Sequence, residues 1–487
     1  MRSKIVGTEL LTTPSGIPVR RRTHRDPKPR FKPDRSQQLD AVLGCPALVV
    51  PGDHAARDVQ AFVEKLDTSV LEKEYSSLGR HGYHPRHVLA VWIYASQSGM
   101  RHSTKVARAC VTDAAFRLLS GGHEISAPTL RRFRQKHGAF FIDAIQQTLA
   151  MAHAKSLLDA ADVAVDSVRI RAHAAVSAVR TLERSKKRLP VLREALASAT
   201  SDEQRATLEK KIAKHESAVA ECEKSGRTSF VITNPTAALM KFPSGASAPG
   251  HRVTVAVAGQ SLRLVLGVLI DGAATDYGKL EPIVSKARTA LSDAGVAVDH
   301  FQVAADAGYT SLADLAFAAN NRSWADVLIP VPDASERTTK YFARDRFKLV
   351  GDEVFCPAGR RMSGPYPDTD GRLKWEGVGC PQCPLRPQCT SSERARAFTI
   401  HPEGERLRNL MRQRMAQPDA IARYNRRIAT VEPAFSSIED QMGFRRATSR
   451  HPVTVEAEML LNILAHNALR LACAARLFCV CYVETEF

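Results

Sequence analysis

Apolar and polar positions alternate or cluster at several points along the chain. The run Asp162-Val163-Ala164-Val165-Asp166-Ser167-Val168-Arg169-Ile170-Arg171 differs from the others because a carboxylate, Asp166, sits in its middle. Val163, Val165 and Ile170 favour a strand buried in a sheet, where a charged Asp is costly unless it is hydrogen-bonded or binds a metal. An exposed edge carboxylate is the alternative. The stretch Val303-Ala304-Ala305-Asp306-Ala307-Gly308-Tyr309 has the same character, a short strand ending in an Asp and a glycine turn. Two strand-borne carboxylates point to one cation site.

Before the first of these strands, residues 41–158 follow helical spacing. Val59, Phe62, Val63 and Leu66 repeat on one face, and Pro85 opens an apolar helix over Val88 to Ser96. A helix from about Ser103 to Leu119, a Gly121-Gly122 break and a helix opened by Ser126-Ala127-Pro128-Thr129 follow. The last carries Arg131, Arg132 and Arg134 beside Leu130 and Phe133. A short helix, a tight turn and a basic helix are what a helix-turn-helix-like DNA binder needs; a solvated surface helix has the same pattern.

Residues 177–226 are charged and poor in aromatics, with Leu182, Leu189 and Leu196 seven apart and Leu208, Ile212 and Val219 following. This predicts an antiparallel helical hairpin, its first arm interrupted at Pro190. A Pro/Gly/Ser-rich linker, Phe242 to Gly250, leads into strands over Val253–Val257 and Leu262–Ile270, turning at Gly259-Gln260. A helix (Lys279–Leu291), the Asp306 strand, a helix (Ser311–Ala319) and a strand (Val327–Val331) complete residues 159–335. That order resembles the ribonuclease H-like one, in which the first and fourth strands are neighbours.

Residues 336–400 hold Cys356, Cys380, Cys383 and Cys389 in a proline-rich, loop-like stretch. Four thiolates with one close pair suit structural zinc, with a disulfide as the alternative. The remaining six cysteines are scattered, as in a reduced chain. Residues 401–477 are helical and rich in arginine, and Pro433 predicts a new helix starting at Glu432. Glu432 and Glu439 are seven apart, so they fall on nearly one helix face.

Composition narrows the function classes. The formal charge is +18 over 487 residues, which favours a polyanionic partner such as nucleic acid. Residues 1–40 hold ten Lys or Arg against four acids, with Arg20-Arg21-Arg22, and read as an extended basic arm that either follows a phosphate backbone or is a solvated tail. No apolar run reaches membrane-span length, so a cytoplasmic protein with no membrane partner is expected, ending in a short tail over residues 478–487.

Taken together, Val165-Asp166-Ser167, Ala305-Asp306-Ala307-Gly308-Tyr309, the Cys-Pro-Ala-Gly and Cys-x-x-Cys stretch, and Tyr424-x-x-Arg427 with Val431-Glu432-Pro433-Ala434-Phe435 resemble bacterial insertion-sequence transposases of the DDE type. The similarity is to the subgroup with an N-terminal helical domain and a cysteine-bearing insertion before the glutamate. It implies an α/β, ribonuclease H-like core with an N-terminal all-α domain, an inserted helical hairpin and a small Cys-rich insertion. It also implies catalysis by Asp166, Asp306 and Glu432 holding two Mg²⁺ (or Mn²⁺) ions, and DNA contacts by Tyr424 and Arg427. Arg445 and Arg446 join Arg131, Arg132 and Arg134 as basic candidates for DNA contact. Double-stranded DNA at the element's ends and target would be the substrate, and a homodimer the synaptic form. Two departures stand out: Glu439 occupies the position where relatives commonly carry Lys, and Asn234-Pro235 replaces an Asp-Pro.

Overall fold

The computed structural model describes residues 11–12, 18–19, 29–41, 43–76, 80–273, 275–332 and 340–483. Most of the basic arm, including Arg20-Arg21-Arg22, lies outside the described residues.

Apolar residues at helical spacing produce six main helices in the first third: α1 (Ala55–Lys65), α2 (Pro85–Gln97), α3 (Ser103–Thr112), α4 (Ala114–Leu119), α5 (Ala127–Lys136) and α6 (Gly138–Ala154). His84 caps α2 by accepting the Arg86 amide, and Pro85 fills the position that needs no donor. Helix α2 is apolar nearly all round, with Val88, Leu89, Val91, Trp92 and Ile93 buried. It needs cover on several sides, and a helix from the far end of the chain supplies part of it. That helix, Pro452–Val483, contributes Leu460, Leu461, Ile463 and Leu464 to the same core. The expected N-terminal domain is therefore completed by the C-terminus rather than closed at residue 158.

The sheet begins with β1 (Asp162–Arg171), followed by the helical hairpin α7 (Leu182–Ala197) and α8 (Asp202–Ser225). Pro190 does not interrupt α7. Next come β2 (Ala238–Lys241), β3 (Ser247–Ala258) and β4 (Leu264–Asp271), then α9 (Leu280–Asp293), β5 (Phe301–Ala305), α10 (Leu312–Asn320) and β6 (Ala325–Leu328). The strands lie in the order β6, β5, β1, β3, with β2 and β4 both on the far side of β3. Strands β6, β5 and β1 are parallel, and β3 runs antiparallel to β1. The stretch Phe242–Gly250 is not a linker. Most of it forms the β2–β3 hairpin, where Pro249 still offers its carbonyl, which accepts the Ala172 amide at 2.9 Å.

Three short strands (Ser363–Pro367, Leu373–Glu376, Ala397–Ile400) form the Cys-rich module around a core of Phe347, Val354, Met362, Trp375, Phe398 and Ile400. Helices α11 (Pro402–Met415) and α12 (Pro418–Ser436) return the chain to the sheet, and α13 (Pro452–Val483) closes it. Asn467 on α13 ties three parts together. It exchanges hydrogen bonds with the Val265 amide and carbonyl on β4 and donates to Thr148 Oγ1 on α6. No helix of the described residues is long and apolar enough to cross a membrane.

Asn234 has a structural explanation. It is buried, its amide faces His251 Nε2 at 3.3 Å, and its carbonyl oxygen accepts the Thr236 hydroxyl at 3.1 Å. Burial pulls His251 and the fully enclosed His466 down to about 4. Each keeps a buried Nδ1 with no partner, so a second ring proton would have no acceptor. Between pH 4 and about 6.5 the unfolded chain binds protons that the native chain refuses, so stability falls as pH drops through this window. We expect a lower urea midpoint at pH 5 than at pH 7, with each ring contributing about 2 kcal/mol from the charging of one imidazole over roughly 1.5 pH units. Equal midpoints would contradict the neutral assignment.

Candidate active site

The register of β1 against β5 decides where the two aspartates meet. Val165 pairs with Ala305, so Asp166 and Asp306 are the next residues on neighbouring parallel strands. Asp306 leaves β5 as the cap of a short turn over Ala307–Tyr309, its Oδ1 accepting the Gly308 amide at 2.9 Å. Asp166 accepts its neighbour's amide, from Ser167, at 2.7 Å through Oδ1 and Arg427 Nη1 at 2.7 Å through Oδ2. Burial, then Asp166 and Asp276, push the Asp306 carboxyl above its ordinary range, with the Gly308 amide and Arg427 pulling back. The pair is thus crowded with negative charge, which a cation would relieve.

Asp276 is a participant that the sequence reading missed. It follows β4, and its Oδ1 accepts both the Ser167 hydroxyl and Arg252 Nη1. Arg252 lies on β3, nearly enclosed, and also donates to Ser167 Oγ at 2.7 Å. The signal available was Arg252 itself, a cation immediately before the uncharged run Val253–Val257. Asp276, in Thr-Asp-Tyr-Gly, looks like any turn residue. The Tyr309 phenol is buried against the same group, and burial, Asp276 and Asp166 raise it above its ordinary range.

Gly308 lets these carboxylates approach. A Cβ there would lie 2.9 Å from Asp306 Oδ1 and 3.1 Å from Asp276 Oδ2. Gly308→Ala is expected to displace both carboxylates, so that DNA nicking drops on the order of a hundredfold while the circular-dichroism spectrum is unchanged. Nicking at the wild-type rate would show that the close approach is unnecessary.

Glu432 is placed differently from expectation. It does not begin a helix, because α12 runs through Pro433 to Ser436 and continues as a π-helical turn over Ser437–Gln441. Proline deprives the carbonyl four residues back of its donor. Here that carbonyl, of Ala429, accepts Arg263 Nε at 2.8 Å instead. Glu432 is exposed on the helix that brings Arg427 to Asp166, with no hydrogen bond or ion pair among the described residues. Glu439 is half-buried. Burial and Asp440 raise its carboxyl, and Arg445 opposes them. Among the described residues, no group of three or more His, Cys, Asp or Glu side chains is arranged to hold a metal ion.

The basic candidates divide. Arg131 and Arg132 are exposed, and Arg132 lines a groove of about 760 Å³ with Lys32, Arg80 and Lys136. Arg134 does not fit a DNA-contact role. It is buried over the Trp92 ring at 4.8 Å and donates to Arg101 O and Thr448 Oγ1. Arg445 and Arg446 are exposed, the former paired with Asp440. Tyr424 is half-buried, its ring 5.9 Å from the Arg427 guanidinium.

Cys356, Cys380, Cys383 and Cys389 line one cavity of the Cys-rich module, all as free thiols. Burial raises the Cys389 thiol, with Arg396 pulling it down and the other three cysteines pushing it up.

Two family models match the chain. Transposase domain (DUF772) covers residues 47–136, helices α1 to α5, and Transposase DDE domain covers residues 355–472, from the Cys-rich module through Glu432 into α13. Together these two matches indicate an insertion-sequence DDE transposase. No curated protein and no solved structure matches it. Asp166 and Asp306 lie outside both matched spans of this transposase, so their adjacency rests on the strand register rather than on the comparisons.

Proposed function

We propose that this transposase binds the terminal inverted repeats of an insertion sequence and carries out metal-dependent phosphodiester hydrolysis and strand transfer on a ribonuclease H-like core. The observation that carries the proposal is the placement of Asp166 and Asp306 side by side on parallel strands, with Arg427 against them. The strand order supports the core assignment, since the first and fourth strands of the expected order are neighbours.

Hard oxygen donors at Asp166 and Asp306, in surroundings that raise the carboxyl of Asp306, fit Mg²⁺ or Mn²⁺. Glu432, unpaired on the helix above, is the residue free to join them as a third ligand. When bound, the ions supply the Lewis acid that stabilises charge on the attacked phosphodiester. Arg427 and Tyr424 hold the scissile region, the guanidinium through a phosphate oxygen. Ser167, Arg252 and Asp276 fix the β1 carboxylate's surroundings by their mutual hydrogen bonds. Exposed Arg131 and Arg132, with Arg445 and Arg446, contact duplex phosphates. Synapsis of two ends calls for a homodimer.

A second reading, a DNA-binding transposase with impaired catalysis, is favoured by the exposed Glu432 and by Glu439 in place of Lys. Supercoiled plasmid carrying the DNA that flanks the coding region separates the two. Nicked and linear products at the flank in Mg²⁺ or Mn²⁺, absent in chelator, support the active enzyme; binding without products in either cation supports the impaired one.

The four free thiols line one cavity without forming a closed ligand set, and a single structural Zn²⁺ that drew them together would supplement a module core of six buried side chains among the described residues. We expect about one zinc per chain by native mass spectrometry, the count for a single four-thiolate site, with loss in Cys380→Ser/Cys383→Ser. Zinc-free native protein would overturn this assignment.

A further inference from the structure

Between the Cys-rich module and the sheet domain runs a groove of about 560 Å³ that the proposed chemistry does not use. Arg344, Arg372, Arg408 and Arg412 line it, against the two carboxylates of Glu405 and Asp370. Four guanidiniums facing two carboxylates leave a surplus of two positive charges. Arg344 and Arg408 share a single oxygen of Glu405, at 3.0 and 2.9 Å. Arg412 and Arg372 have no carboxylate partner among the described residues, and Arg412 Nε is buried without an acceptor. Burial lowers the Arg344 guanidinium and Glu405 raises it, while Arg408 and Arg412 lower it further, as expected of cations that lack enough counter-charge.

The opposite wall ties the groove to the carboxylates. It includes Thr310, four residues after Asp306, and Tyr277, the residue after Asp276. Tyr277 is 58% exposed, leaving an aromatic face at the groove mouth. A cationic channel with an exposed aromatic ring is the combination that binds single-stranded nucleic acid, phosphates on the cations and a base on the ring.

We propose that this groove binds an unpaired DNA strand adjoining the cut, its phosphates on Arg372 and Arg412 and a base against Tyr277. The proposal rests on the transposase reading above but concerns a surface that takes no part in the chemistry. A duplex is the competing occupant, and the test separates them.

Full-length chain is titrated by fluorescence anisotropy with a labelled single-stranded oligothymidylate and with a blunt duplex, each over a range of salt. In Arg372→Gln/Arg412→Gln, single-strand affinity should fall at least about tenfold. The slope of log affinity against log salt should flatten by about 1.4, two phosphate contacts at about 0.7 each. Duplex affinity should be unchanged, Arg372→Lys/Arg412→Lys should retain single-strand binding, and Tyr277→Ala should weaken it with the slope unaltered. If the double variant does not fold, Arg372→Gln alone, on an exposed side chain, carries the same test with half the slope change. Wild-type single-strand binding in these variants overturns the proposal, as does equal loss of single strand and duplex. Plasmid nicking by the wild-type chain is scored in parallel. No nicking counts against the catalytic reading, whereas nicking with unaltered binding in the variants removes the groove alone.

Discussion

Asp306→Asn is expected to lower metal-dependent nicking of supercoiled plasmid by at least about a thousandfold, leave duplex binding intact, and hold or raise the thermal midpoint. The loss of activity follows from removing one of two adjoining carboxylates. The stability result follows from the same crowding: burial and two neighbouring aspartates make the ionised form of Asp306 unfavourable in the fold. A carboxyl whose folded value is raised costs stability above that value, so a neutral isostere removes the cost. Asp166→Ala should also abolish nicking, but it strips Arg427 of its partner, so some loss of stability accompanies it. An Asp306→Asn chain that nicks normally, or one that loses duplex binding with cleavage, would assign this residue a different role.

Arg134→Ala should unfold more readily by about 3–5 kcal/mol, because it leaves a buried charge without its partner. Glu458 is 1% exposed and accepts the Thr448 amide, and Arg134 is the cation beside it, at 3.8 Å. The substitution also empties the space over Trp92 and releases Thr448 and the Arg101 carbonyl. Arg131→Ala, three residues away in the chain, should change stability by less than about 0.5 kcal/mol, the usual size for an exposed site. Its effect should appear as weaker duplex binding and a salt slope shallower by about 0.9. Urea denaturation and anisotropy on both variants check the pair. Equal stability in the two would mean that Arg134 is not structural.

These two arginines mark where the sequence is informative and where it is not. Helical spacing puts Leu130 and Phe133 inside, and the same spacing places Arg134 next to Phe133 at the boundary. Its direction was set by Glu458, on a helix more than 300 residues later, which local pattern does not reveal. Pro433 is a similar case. A proline predicts a helix start, yet the helix continues because Arg263, from a distant turn, satisfies the carbonyl that Pro433 leaves bare.

By contrast, Asp166 and Asp306 were legible because β-branched runs carry them, and a carboxylate inside such a run needs a partner. Their neighbour Asp276 was not, since a loop aspartate beside glycine signals only a turn. The helical hairpin was readable from its leucine spacing, whereas Phe242–Gly250 is the turn of the β2–β3 hairpin and the start of β3, whose pairing with β2 no local composition reveals. Glu432 was legible only by resemblance, and nothing in its exposed setting announces a ligand.

The most direct test of the paired carboxylates is a Mn²⁺ titration of the metal-free chain, read by the electron paramagnetic resonance of the free ion. If Asp166 and Asp306 hold the cation, the wild-type chain binds Mn²⁺ and Asp306→Asn loses that binding, while the fold of both stays the same. Superimposable binding curves for the two chains would contradict the assignment.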